Sequence, residues 1–545
     1  MGYRFKHWKP RASISPKNYS ELTRQICQNR AFTEIDQLKY GDYGLTAAFD
    51  TILAAIKSNK KIALYADYDV DGTMSCVSWI WFLQSIGYDN FTHYIPDRFA
   101  EGYGVNLKAV QYLVREEKAE LIITMDTGIT ANEEAEWCKG AGVDFICTDH
   151  HKIQTDKMPD CIILNPKMHP DPLYQELCGC GITFVLLRKL GEVLQPPSEV
   201  WTDILALTGM ATICDVVPLN GVNHKLAQHG VAALLRSERQ VLKKLISASS
   251  IQNQSMDERD VGFRLGPRIN AVGRLEHANK VVAAFIEGDP EPLIRHMGIC
   301  NEKRKLIQKN IVDEARELAK AYLDHPILFL GGDWHQGVVG IAASKIAEEF
   351  WRPVWLFQKK GDFCKGSARS IPGFDVTDAM SAASHLFHKF GGHSAAGGFS
   401  FKPQNEDSIR MCLESHAHSI KSRAPRLWES SISYDFTIGK ELLDLPLTDH
   451  LEHLRPFGHQ FEEPLFHLEA EIESTVFYND KKTGMPRHTA VSIKHENAYK
   501  IMFFNEVFED LKTAKKAHFL VTAGRNFWRG QTSLSLIGSD FSVIH

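Results

Sequence analysis

The chain has 545 residues, 44% of them hydrophobic and 24% charged, an ordinary globular composition with length for roughly three or four domains. Its formal charge of −5 excludes a global basic field for nucleic acid, so any polyanion site has to be a local groove. Eleven cysteines, odd in number and without zinc-finger spacing, fit a reducing compartment better than a disulfide scaffold and make the cytoplasm the expected location.

No run of about 18 apolar residues occurs, and the opening "MGYRFKHWKP" lacks the apolar core of a signal peptide, so no membrane partner is expected. Residues 1–50 are mixed and basic at the start, and are assigned only as an N-terminal extension; a solvated terminus is the expectation for "RFKHWKPR". From residue 60 short apolar runs alternate with helix-like segments: "KIALYA", "TMSCVSWIWFLQSIG", "FTHYIP", "LIITM", "VDFICT". Such alternation predicts a mostly parallel α/β sheet, and the domain is assigned to residues 51–284. Residues 285–323 read as a connecting helix, with Ile307, Ile311, Ala315, Leu318 and Tyr322 recurring every three or four residues. A second, glycine-richer α/β unit is expected at 324–405, facing the first across a cleft. At 426–545 the runs "LFHLEAEIESTVFY", "TAVSIKH", "AYKIMFF", "HFLVTAG" and "TSLSLIG" predict a small β-barrel. No heptad repeat is present, and a monomer is the expected state.

The acidic residues fall at one kind of place. "ALYA" runs into Asp67, Asp69 and Asp71, "LIITM" into Asp126, and "VDFICT" into Asp149, His150 and His151. In a parallel sheet these strand ends share one edge, where α/β proteins build their sites. Asp215, ending the apolar "MATIC", can reach the same edge. One aspartate after a strand is usually a turn former or helix cap, but four segments converging point to a bound cation. Carboxylates mixed with histidine suit Mn²⁺ better than Mg²⁺, and two ions sharing a bridging carboxylate suit hydrolysis of a phosphate ester.

In this order "DYDVDGT", "DTGI", "TDHH" and "CDVVPL" resemble the four motifs of the DHH phosphoesterase superfamily. Within it "IPDRFAEGYG", "LGPRINAVGRL", "WHQGVVGIAASKI", "GSARSIPGFD" and "GGHSAAGGF" resemble the RecJ single-strand-specific exonucleases, over nearly all of residues 60–403. The resemblance implies a DHH catalytic domain, a DHH-associated domain and an oligonucleotide-binding barrel. It also implies two Mn²⁺ or Mg²⁺ ions and 5′ to 3′ digestion of single-stranded DNA to 5′-mononucleotides in repair and recombination. Asp69, Asp71, Asp126, His150 and Asp215 are then the metal ligands. Asp67 is an inner or outer carboxylate, and Asp149 a supporting one. His151 either contacts the scissile phosphate or orients His150.

The resemblance further implies a pocket for a 5′-terminal phosphate, built from Arg268, Asn270 and Arg274, from Ser367, Arg369 and Ser370, and from Arg98, with His393 as another phosphate contact. Arginine forks suit phosphate oxygens, although pairing with acidic neighbours is the plainer reading of each. The motif "LRPFGHQFEEPLF" looks like the one that opens the barrel, with His459 and Gln460 where Gly and Asn are common. In "GRNFWRG", Arg525 and Arg529 flank Phe527 and Trp528, a pattern able to stack bases. Cys178 and Cys180 read as a packed glycine turn rather than a metal site. A single-strand-binding protein and a helicase are the partner classes this reading carries. Two rivals stay open: a phosphodiesterase for short oligonucleotides or cyclic dinucleotides, and a catalytically idle replication scaffold.

Overall fold

The computed structural model describes residues 2–13, 15–35, 40–251, 256–497, 499–528 and 530–544. The chain divides into two compact units, one of Arg30–Glu302 with Leu454–Glu463, the other of Met1–Asn29, Lys303–His453 and Pro464–His545.

The first unit is built on five parallel strands in the order Phe91–Tyr94, Ile62–Ala66, Leu121–Met125, Asp144–Thr148 and Ile162–Leu164. Two of these, "IALYA" and "LIITM", are buried at every residue, as expected of parallel strands covered on both faces. The order reverses between Ile62–Ala66 and Leu121–Met125, which opens a crevice at their carboxyl ends. On one face the helices Val70–Ser85, Gly179–Leu194 and Ser198–Cys214 pack together, contributing Trp79, Trp81, Phe82, Leu186, Leu207 and Met210 to one apolar cluster with the strands.

The segment Leu454–Glu463 belongs to this unit rather than opening the barrel. His224 Nε2 lies 3.0 Å from the Leu454 carbonyl, the Leu219 amide donates to the His459 carbonyl at 2.9 Å, and Arg455 pairs with Asp257 and Glu258. Gln460 has a φ of 59°, a left-handed conformation at the turn whose ends, Gly458 and Phe461, bridge each other.

The second unit contains a five-stranded mixed sheet ordered Phe387–His393, Ala396–Phe401, Cys364–Arg369, Val354–Gln358 and Leu328–Gly332. The helix Glu406–Arg423, beyond the expected end at 405, buries Ile409, Leu413 and Ala417 in the same apolar cluster, the four-residue spacing of one helix face. The helix Glu291–Ala319 carries the chain between units. Ile311 and Ala315 are buried as expected, together with Val312 and Ala319, whereas Leu318 is exposed because the buried stripe passes through the neighbouring Ala319 instead.

In the barrel, Phe466–Asn479, Pro486–Ile493, Lys500–Phe503, Gln531–Val543 and Lys516–Trp528 pair in that order, and the last returns to the first. Closure leaves no free sheet edge in the ring. The opening basic stretch is structured: His7–Pro10 pairs in parallel with Ser431–Tyr434, and Trp8 Nε1 donates to Asp540 Oδ2 at 2.7 Å. The half-buried Trp8 indole and its buried carboxylate acceptor, Asp540, hold this terminus down where charge alone suggested solvent.

Candidate metal centre

Three strands end directly in the acidic residues. Ile62–Ala66 delivers Asp67, Leu121–Met125 delivers Asp126, and Asp144–Thr148 delivers Asp149 and His150. Asp69 caps the helix Val70–Ser85 by accepting from the Asp71 and Gly72 amides. Asp215 caps the carboxyl end of the helix Ser198–Cys214. Gly72 is required here, since a Cβ would sit 2.4 Å from the Asp67 carbonyl oxygen.

The ligand atoms of Asp67, Asp69 and Asp126 lie within 4.8 Å of one another, and so do those of Asp71, His150 and Asp215. His150 joins the two sets: its Nε2 is 3.1 Å from Asp126 Oδ1, 3.5 Å from Asp215 Oδ2 and 3.8 Å from Asp71 Oδ2. Asp67, Asp71 and Asp126 are each at most 3% exposed. Burial, reinforced by the neighbouring carboxylates, pushes Asp71 up to about 7 and holds Asp67, Asp126 and Asp215 well above the usual carboxylate range. Anions cannot crowd out of water in this way unless protons or cations neutralise them.

Asp71 is gripped from behind. Its two oxygens accept from the amides of Gly179 and Cys180, at 2.5 and 2.8 Å, at the positive end of the helix Gly179–Leu194. The "CGCG" turn is thus a packed support: Cys178 caps the helix, and Cys180 Sγ faces Thr208 and Ser78. Sequence reading could not see this role, because the donors are backbone amides.

His151 is fixed by Asp149. Its Nδ1 lies 2.7 Å from Asp149 Oδ1, whose other oxygen accepts from the Ile129 amide at 2.8 Å. Burial opposes charge on both, but their hydrogen bond and mutual attraction outweigh it, so Asp149 titrates below and His151 above its ordinary value. The Tyr103 hydroxyl lies 3.1 Å from His151 Nε2. Tyr103 was missed in the sequence; its only signal was its place in "EGYG".

Donor chemistry fits hard divalent ions. The set is oxygen-rich with imidazole and no thiolate, and buried Asp67 Oδ1 has no hydrogen-bond partner among the described residues. Asp69, Asp71, Asp126, His150 and Asp215, with Asp67, are the residues able to hold them.

Of the expected phosphate contacts, three sit in the first unit on the helix Gly266–Leu275. Asn270 Oδ1 accepts from the Val70 amide at 3.2 Å, tying that helix to the aspartate loop, while Arg268 and Arg274 are half-buried. Arg98 stacks 4.7 Å over the Tyr68 ring, and its charge acts on Asp67. The others lie in the second unit. Arg369 donates to Ser344 Oγ at 3.0 Å, Ser370 donates to the Phe374 carbonyl at 2.6 Å, Ser367 is half-buried beside Arg369, and His393 is exposed at a hairpin end. Arg525 is engaged by Thr448 and Asp449, while Phe527 on the same strand is exposed. Arg529 and the Trp528 side chain lie outside the described residues.

Family models match in series: the DHH family N-terminal domain over residues 61–211, the DHHA1 domain over 319–418 and the RecJ OB domain over 434–540. The single-stranded-DNA-specific exonuclease RecJ of Salmonella typhimurium is 30% identical over 451 residues, covering 78% of this chain and 77% of that one. The chain belongs to the RecJ family. The RecJ of Bacillus subtilis is 33% identical over 516 residues, and the match covers 92% of this chain but only 63% of that relative's length. Among solved structures, RecJ with Mn²⁺ from Thermus thermophilus superimposes with a TM-score of 0.84 over 99% of this chain and 80% of that one, at 24% identity, showing the shared fold. A RecJ exonuclease bound to manganese matches with a TM-score of 0.61 at 29% identity, over 70% of this chain and 96% of that one. The chain therefore carries the DHH, DHHA1 and RecJ OB domains in series.

Proposed function

We propose that this chain is a metal-dependent exonuclease that digests single-stranded DNA from the 5′ end, releases 5′-mononucleotides, and uses two divalent ions. The observation that carries the reading is the pair of ligand groups, Asp67/Asp69/Asp126 and Asp71/His150/Asp215, joined through His150 and Asp126. Mn²⁺ or Mg²⁺ bound there supplies activation of a water and screening of charge on both oxygens of a phosphoryl displacement.

The protein's own groups do the rest. Gly179 and Cys180 hold Asp71 so that its carboxylate does not turn away. Asp149 orients His151 and favours its protonated form, in which the imidazolium can donate to a non-bridging phosphate oxygen and stabilise charge that grows in the transition state. In this proposal Arg98, Arg268 and Arg274 bind the 5′-terminal phosphate, which makes the enzyme an exonuclease, and Ser367, Arg369 and His393 are phosphate contacts offered by the second unit by itself. Asn270 and Ser370 serve the backbone around them. The closed barrel supports a polymer substrate over a dinucleotide, and an intact ligand set supports an enzyme over an idle scaffold. Monomeric state, a cytoplasmic setting, and a single-strand-binding protein and a helicase as partners complete the proposal. No helix among the described residues is long and apolar enough to cross a membrane.

The test is digestion with Mn²⁺ of single-stranded DNA labelled at either end, beside the same sequence as a blunt duplex and a dinucleotide. Immediate release of the 5′ label as mononucleotide, from the single strand only, is the expected result. Cleavage of the dinucleotide alone would replace this reading with the small-substrate one.

A further inference from the structure

A second cluster of ligating side chains stands apart from the acidic centre. Glu276 follows directly on the helix Gly266–Leu275, and His296 and Cys300 lie four residues apart on the helix Glu291–Ala319, a spacing that puts both on one helix face. Their donor atoms lie within 4.8 Å of one another. His296 Nε2 is 2.9 Å from Glu276 Oε2, and the Cys300 sulfur is 3.5 Å from that nitrogen and 3.9 Å from Glu276 Oε1. A tetrahedral ion with bonds of about 2.3 Å to sulfur and about 2.0 Å to nitrogen separates those two donors by roughly 3.5 Å.

We propose that Glu276, His296 and Cys300 form a metal site for a borderline-soft divalent cation of the zinc class, distinct from the acidic centre. Thiolate with imidazole and one carboxylate selects against Mg²⁺ and Mn²⁺, which the all-oxygen and imidazole centre suits. Cys300 is 2% exposed, as a ligand sheltered from exchange and oxidation should be. Lys280 Nζ donates to Glu276 Oε2 at 2.5 Å. It leaves Oε1 toward the sulfur and acts as the outer partner that orients a ligating carboxylate. The ion would clamp the end of the helix that carries Arg268, Asn270 and Arg274 to the long helix, where a Cβ on Gly298 would already come within 2.9 Å of Arg268 Nη1.

The test titrates Co²⁺ into metal-free Asp126→Ala protein and follows the thiolate-to-Co²⁺ charge-transfer absorption, to which an all-oxygen and nitrogen site contributes nothing. One equivalent should saturate the band, Zn²⁺ should displace it, and Cys300→Ser and His296→Ala should each abolish it with circular dichroism unchanged. An absent band, or one that survives Cys300→Ser, overturns the site. Should both variants fail to fold, anomalous scattering from Zn²⁺-soaked crystals of the unaltered protein decides: a peak among the three side chains upholds the proposal, and none there while the acidic centre fills rejects it.

Discussion

Asp71 and Gly179 are 108 residues apart in sequence, yet the Gly179 amide donates to Asp71 Oδ2 at 2.5 Å. The contact requires glycine. A Cβ there would lie 2.7 Å from the Asp126 Cβ and 3.0 Å from Asp71 Oδ2, and neither buried aspartate can retreat, Asp126 standing at a strand end and Asp71 in the first turn of the helix Val70–Ser85. Relieving a 2.7 Å contact to an ordinary van der Waals distance takes on the order of 1 Å, so Gly179→Ala should displace the two ligands by about that much. Misplacement of that order costs about 100-fold in rate. The expected outcome is a loss of kcat near that size and weaker Mn²⁺ binding, with the unfolding transition still cooperative, measured by steady-state digestion and by metal titration.

Proton and metal compete for the same carboxylates. In the metal-free fold Asp71 holds its proton up to about 7, whereas its ordinary value is 3.8. Between those values the folded state carries the extra proton, so raising the pH through that window favours unfolding. Asp67, Asp126 and Asp215 are displaced in the same direction. The Tm in EDTA should fall as pH rises from about 5 to about 8, and the stabilisation by Mn²⁺ should grow over the same range as ions replace protons. Calorimetry at fixed ionic strength checks both. A gap between the two curves that narrows with pH would contradict this account of the centre.

The legible part of this site was the part written in side chains on regular elements. "IALYA" and "LIITM" announce buried parallel strands because nothing polar interrupts them, and the aspartate after each run marks the carboxyl edge. Asp215 was legible for the same reason, even though its apolar run folded as a helix. What escaped was written in backbone or in distant pairing. The amides at Gly179 and Cys180 have no side-chain signature, and Tyr103 reaches His151 from a loop with no periodicity. The His7–Pro10 strand exists because Ser431–Tyr434 lies beside it, a pairing across more than 400 residues that no local pattern encodes. The motif "LRPFGHQFEEPLF" resembles one that opens the barrel, while the hydrogen bonds of Leu454–Glu463 attach it to the first unit.

His151 and Asp149 offer a separation of binding from catalysis. Asp149 Oδ1 accepts from the His151 amide at 3.0 Å and faces its ring nitrogen, and Oδ2 serves Ile129. Asn at 149 keeps the shape and one acceptor but loses the charge that holds the imidazole protonated. Supporting partners of this kind typically cost about 10- to 100-fold when removed. Asp149→Asn should lower kcat within that range, leave Mn²⁺ affinity nearly unchanged, and move the loss of activity at alkaline pH to lower pH, because His151 gives up its proton sooner. A pH–rate profile of variant against parent reads this directly.

Asp126 carries the sharpest prediction, since it belongs to the Asp67/Asp69/Asp126 group, lies 3.1 Å from His150 of the other group, and is 2% exposed. Removing its carboxylate takes a ligand from one group and leaves His150 Nε2 without the carboxylate 3.1 Å away that joins it to that group, so turnover should drop to background in Mn²⁺ or Mg²⁺. Stability should move the other way. Asp126 is held above the usual carboxylate range by burial first and then by Asp71, Asp69, Asp215 and Asp67, which is the same as saying that its charge opposes folding when no metal is present. Its φ of 58° makes asparagine the better replacement, as a residue that tolerates the left-handed region. Asp126→Asn should then be inactive yet more resistant to heat than the parent in EDTA at alkaline pH, with the advantage vanishing in Mn²⁺, where only the parent gains. Paired thermal scans with and without Mn²⁺ measure it, and an inactive variant that is also less stable in EDTA would mean that Asp126 holds the fold rather than the metal.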